Sequence, residues 1–348
     1  MQPLPPADAP RVTSTFIALT TGTHDKAIRE AGFGPTRHDL RLLRGFREDC
    51  EALPSGALAI EKHLGYRVCG IAGTEPIEML ALYNQIRSHA GTWPAHETAC
   101  RNRGEQLLFL ARHMLDDLGD VADGLEEGGM RDDVMNDVIR RVVERAEEET
   151  QHVKEAAAGL LGFSKHIEET LAPHIEDKIS ISEGTEHDTT NYMQRARLKR
   201  MLEDIRKAER AYRRTMDTDE GNILGRRLAR TLYGEEACQA HDAVFDALFA
   251  YQKAEREVAV PFKVPKSLAN RRVQLGYAML ASRSGGQALQ HLGLMWETTT
   301  NALREAHTAF VAAKDDAGRK AVLATLQPLL EVWGTMGSLG DVLDELNG

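Results

Sequence analysis

The residues of this chain whose types and spacing could do chemistry are histidines and carboxylates, and the chemistry they suggest first is metal binding. The 13 histidines are scattered, with no H-E-x-x-H pair that would set two ligands on one helix face. His89 and His96 flank a turn signal and read as surface histidines rather than as ligands. A di-metal bundle needs Glu-x-x-His pairs on facing helices, and the acidic run Glu147-Glu148-Glu149 offers at most one, Glu149 with His152, so the run reads as a solvated helix face. His187-Asp188 and His241-Asp242 are sequence neighbours that point apart on a helix and read as solvated. Gly32-Phe33-Gly34 runs into Pro35, and no G-K-[ST] phosphate loop exists. The cysteines Cys50, Cys69, Cys100 and Cys238 form no C-x-x-C pair; they read as buried or half-buried thiols, with a Cys50–Cys69 disulfide as the alternative. These residues give no catalytic group, no metal, no cofactor and no small-molecule substrate, so the expectation is a protein that is not an enzyme.

Chemistry being absent, the elements that carry these residues become the informative feature. Of 348 residues, 28% are charged and only 5% aromatic, a composition that suits thin helical bundles with aliphatic seams and charged exteriors. The net charge of -10 argues against a nucleic-acid partner. Residues 1–10, rich in proline, have neither the basic nor the apolar region of a Sec signal peptide. No apolar run approaches the ~18 residues of a membrane-spanning helix. The expectation is a soluble monomer or oligomer released without a Sec signal.

The periodicity is helical throughout. A helix is expected over 36–50 with Thr36 as its cap, and Leu40, Leu43 and Phe46 on one side. Glycines 56, 65, 70 and 73 leave 54–73 without a pattern. Gly73-Thr74-Glu75-Pro76 starts a helix, with Thr74 to accept from free N–H groups and Pro76 in the first turn. Thr92-Trp93-Pro94 opens a longer one, in which Leu107, Ala111, Met114, Leu118, Val121 and Leu125 keep alternating steps of four and three. Met135, Ile139, Val142, Ala146, Glu149, Val153, Ala156, Leu160, Phe163 and Ile167 repeat that alternation, predicting a helix over 134–172 that Pro173 kinks or ends. Leu198, Met201, Ile205, Ala208 and Tyr212 resume it, and 237–258 continues it up to Pro261 and Pro265. Separate helices are expected over 268–282, from 287 to about 313, and over 322–346, with Val322, Leu326, Leu329 and Trp333 on one face of the last. Nothing alternates with the period of a strand, so the fold class is all-α: an elongated bundle of long coiled-coil-like helices.

One interruption stands apart. Between Asp217 and Gly234 the seam stops, and Ile223, Leu224, Leu228 and Leu232 form an apolar side beside Arg226, Arg227 and Arg230. A short basic amphipathic helix between two long ones fits a membrane-contacting tip, and equally a cap that closes the bundle with its arginines in water.

Four features, in this order, resemble the xenorhabdolysin branch of the cytolysin A-like α-helical pore-forming toxins. They are Trp93-Pro94 followed by Arg103-Gly-Glu-Gln-Leu107; the stretch VKEAAAGLLGFSKHIEETLAPHIEDK (153–178); Ala211-Tyr212 leading to ILGRRLARTLYG (223–234); and the tryptophan-bearing pair LGLMWETTTNALREA (292–306) and LQPLLEVWGTMGSLGDVLDEL (326–346). The resemblance covers about Trp93 to Leu346 and leaves the first 75 residues poorly matched. It implies an elongated tail over 76–210 and 258–348, a small helical head over 211–257, and an N-terminal segment with short helices over 1–75. It also implies a toxin subunit that oligomerises on a target cell membrane, with a homo-oligomer and a second toxin subunit as partners; the chain length is closest to the shorter B subunit of the binary type. The membrane-contacting residues would be Ile223, Leu224, Arg226, Arg227, Leu228, Arg230, Leu232 and Tyr233. Many relatives carry a plainly hydrophobic hairpin there, whereas three arginines and the acidic lead-in of residues 217–220 point here to a subunit that inserts beside a partner or only docks. A non-toxic helical scaffold that binds partner helices is the alternative function.

Overall fold

The computed structural model describes residues 37–68, 72–127, 130–184, 192–217, 235–257, 263–313 and 315–334. Its helices are α1 (Arg37–Glu51), α2 (Ala57–Leu64), α3 (Pro76–Ala90), α4 (Trp93–Glu127), α5 (Asp132–His166), α6 (Ala172–Gly184), α7 (Tyr192–Asp217), α8 (Glu235–Glu257), α9 (Lys263–Ala312) and α10 (Asp316–Gly334). No strand occurs among the described residues. With 50 residues, α9 is about 75 Å long at 1.5 Å per residue, and α4 and α5, with 35 each, are about 52 Å. The molecule is an elongated all-α bundle.

Helix α9 runs antiparallel to α5 and on past it along α6, and the two long helices form the spine. Arg272 and Arg283 of α9 meet the α6 end, while Arg304 reaches Glu147. The seam of α5 is buried at every position of its four-three repeat from Met135 to Phe163. Apart from Glu149 and Phe163 it is an aliphatic stripe, and its burial is the main stabilising term for helices this long. Helix α10 covers one end of the spine against α4, where Gln327 bonds Glu126 and Arg319 bonds Asp132. Helices α1 and α3 cover the other, with Leu43, Phe46, Met79 and Ile86 inward. Among the described residues no helix is long and apolar enough to cross a membrane.

Local differences from the sequence expectation have local causes. The patternless stretch contains α2, an eight-residue helix closed by Gly65 in the left-handed conformation at φ 82°, which a glycine adopts without steric cost. The cap of α3 is Glu75 rather than Thr74: Glu75 and Glu78 form a reciprocal capping box with Pro76 behind it. Thr74 instead gives its carbonyl to the Tyr66 hydroxyl at 2.5 Å. Pro173 neither ends nor breaks its helix. A π-helical turn over Ile167–Leu171 precedes it, in which Ala172 N–H donates to Ile167 O, and the wider turn accommodates the missing donor and the ring. The caps proposed at Thr36 and the helical tail beyond Gly334 lie outside the described residues.

The largest difference is in α9, which runs unbroken through Gly285-Gly286, where the sequence predicts a break. A Cβ on Gly286 would lie 2.9 Å from Leu161 Cγ and 3.2 Å from Leu160 Cβ, so this glycine is what lets α9 approach α5 so closely. Gly286→Val is expected to lower stability by about 1–3 kcal/mol through overpacking, read as a drop in the urea midpoint.

Candidate functional site

The segment singled out by the sequence, with Ile223, Leu224, Arg226, Arg227, Leu228, Arg230, Leu232 and Tyr233, lies outside the described residues. The helices on either side of it are described. Helices α7 and α8 pack on each other as an antiparallel hairpin, since Tyr212 near the end of α7 lies edge-on to His241 near the start of α8, centroids 5.7 Å apart. The inner face of the hairpin is Leu198, Ile205 and Tyr212 against Val244, Leu248 and Tyr251. His241 also sits 3.4 Å from Asp242, so this pair does meet, contrary to the expectation that it points apart.

The hairpin is joined to the spine by charge, which the sequence reading missed. Arg272 of α9, only 1% exposed, donates from Nε to Glu176 of α6 at 2.5 Å and from Nη2 to both oxygens of Glu209 of α7 at 2.7 and 2.9 Å. Arg206 of α7 bonds the other oxygen of Glu176. One turn region along, Arg283 donates to Glu168 at 2.9 Å and Arg213 of α7 approaches the same carboxylate at 3.4 Å. Burial works against the charge of Arg272, but the carboxylates of Glu209 and Glu176 more than offset it and hold its pKa above the ordinary guanidinium value. A buried, bidentate arrangement of this kind fixes which way α7 can dock.

A second cluster surrounds Phe163 of α5. His89, at the end of α3, stacks on its ring with centroids 4.0 Å apart, and Trp93 and His96 of α4 meet it edge-on at 5.9 and 5.7 Å. The His166 ring lies 4.8 Å from His89. His89 is therefore buried, not a surface histidine, because the elbow between α3 and α4 folds it onto α5. Burial, then the neighbouring imidazoles of His166 and His96, push it down to about 3; a hydrogen bond to the Phe163 backbone works the other way. Burial also lowers His96.

Glu149 is buried in the α5 seam rather than solvated, while Glu147 and Glu148 are exposed. Cys50 and Cys100 are free thiols, pushed up to about 12 chiefly by burial, so neither is a nucleophile at neutral pH. The side chains of Cys69 and Cys238 lie outside the described residues. Among the described residues no group of three or more His, Cys, Asp or Glu is arranged to hold a metal ion.

No protein-family model matches the sequence, and no curated protein matches it. Solved structures match almost end to end. The HblL1 toxin component of Bacillus cereus aligns over 98% of this chain and 97% of its own, with a TM-score of 0.58 at 10% identity. SmhA, from the tripartite α-pore-forming toxin Smh of Serratia marcescens, aligns over 98% and 94%, with a TM-score of 0.54 at 12% identity. The fold is that of α-pore-forming toxin components. YaxA from Yersinia enterocolitica aligns over 90% of this chain and 97% of its own, with a TM-score of 0.52 at 16% identity. At identities of 10 to 16% the likeness is one of architecture.

Proposed function

We propose that this chain is one subunit of a multicomponent α-helical pore-forming toxin that oligomerises on a target cell membrane together with a second subunit. The observation that carries the reading is the match, over 98% of the chain, to components of toxins whose own names describe them as multipart. In this reading residues 211–257 form the head and 76–210 with 258–348 the tail, and the amphipathic segment from Ile223 to Tyr233 contacts or enters the bilayer. Its leucines exchange burial against protein for burial in lipid, two environments of nearly equal worth to apolar surface, so partner contacts tip the balance. The protein acts outside the cell that makes it, without enzymatic activity. Assignment as a B-type subunit rests on chain length, and reconstitution with each partner type decides it.

The test is dye release from liposomes and lysis of red cells by the purified chain, alone and with subunits encoded beside it. Lysis is expected in combination. Leu228→Asp should lower it on the order of 100-fold while leaving the melting temperature unchanged, because an aspartate costs roughly 3 kcal/mol in the bilayer. Absence of lysis in every combination, with Leu228→Asp lowering the melting temperature instead, would identify a helical scaffold.

A further inference from the structure

The imidazole cluster has no part in the reading above, and its geometry supports an inference that stands apart from it. We propose that His89 and His96, gathered on Phe163 with His166 beside His89, form an acid-sensitive clasp between the α3–α4 elbow and the spine helix α5. The elbow's turn is short, with Gly91 N–H bonded to Arg87 O and the Thr92 hydroxyl to His89 O, so α3 leaves α4 at a fixed angle and delivers His89 onto the Phe163 ring. The His89 Nε2 atom is buried with no hydrogen-bond partner among the described residues, so a second proton on that ring finds no acceptor.

Charged groups on the surrounding elements have partners of their own. On α3, Arg87 donates to the carbonyls of Leu53 and Pro54 and to Asn84. On α4, Glu97 is held by Arg44 of α1 at 2.6 Å and by Arg101 at 3.4 Å. On α1, Arg47 faces Glu51. On α5, Lys165 faces Glu169, and His166 adds a third imidazole. On α9, Arg271 bonds Gln274 and Arg283 bonds Glu168. The carboxylates named on these segments are thus each matched to a base, Glu97, Glu51 and Glu168 to arginines and Glu169 to Lys165, while the cluster itself gathers three imidazoles. Gly159 lets His96 lie against α5, where a Cβ would come within 2.9 Å of its Nδ1.

The sign follows from linkage. His89 is held down to about 3 in the closed elbow, against about 6.5 when exposed, so the open form binds more protons and stability is lost as pH falls below 6.5. Between pH 7.5 and pH 5.0 that one group shifts the opening equilibrium by about 30-fold toward the open form, and His96 acts in the same direction. At acid pH the elbow is the first part of the bundle to open.

Hydrogen exchange of the full-length protein at pH 7.5 and 5.0, corrected for intrinsic rates, tests this. Peptides spanning 76–100 are expected to lose about 30-fold protection on acidification, while those spanning 135–160 change far less. His89→Phe keeps the stacking and removes the proton, so it should reduce the local loss to a few-fold. The proposal is overturned if acid opens all helices equally, or if His89→Phe retains the full loss. Should His89→Phe not fold at pH 7.5, His89→Gln is judged by the same two outcomes.

Discussion

Arg272→Met is expected to destabilise the protein by about 3–5 kcal/mol, because it strips the cation from two carboxylates that stay buried. Glu176 is 3% exposed and Glu209 8%, and both aim at the Arg272 guanidinium, so neither can turn to water without undocking α7 from α6 and α9. Arg206 stays close to one oxygen of Glu176, but its side chain is half exposed and does not reach Glu209. The measurement is the urea unfolding midpoint at neutral pH. A triple variant, Arg272→Met with Glu176→Leu and Glu209→Leu, should recover most of the loss, since removing all the charges removes the desolvation penalty with them. If the triple variant is no more stable than the single one, the loss comes from packing of the arginine stem and not from stranded charge.

Phe163→Ala should cost a similar amount, about 3–5 kcal/mol, for a different reason. Its ring is 3% exposed and is the surface on which Phe46 of α1, His89 of α3, and Trp93 and His96 of α4 all rest. Removing it leaves a cavity where four elements meet, and helices of this length cannot bend into it without disturbing their own seams. Phe163→Leu fills most of the space and should cost less than about 1.5 kcal/mol. Urea midpoints measure both, and the near-UV signal of Trp93 should be lost in Phe163→Ala and kept in Phe163→Leu. Equal costs for the two would mean that the ring is not the hub that its contacts describe.

The two sites behind these predictions show where sequence reading succeeds and where it stops. The α5 seam could be read in advance, down to Phe163 and Ile167, because a heptad stripe is a one-dimensional record of one helix face meeting another. The same rule marked Glu149 as a seam position although its charge argued for water; burial followed the period, not the residue type. Arg272 left no such record. Its partners Glu176 and Glu209 are 96 and 63 residues away, and an Arg-Arg pair on a helix looks like any solvated face until a third helix covers it. His89 was misjudged in the same way: the turn signal beside it was read, but the direction in which the elbow folds was not.

What the sequence determined by itself was therefore the all-α class, the helix starts at Pro76 and Trp93, and the stripes that pair long helices, because these depend on contacts within a few turns. Tertiary structure alone decided the continuity of α9 through Gly285-Gly286, the passage of the chain across Pro173, and the joining of the hairpin to the spine through buried arginines. Local preference works against the helix by about 1 kcal/mol at a glycine and about 3 kcal/mol at a proline, and packing against a neighbour far along the chain exceeds it.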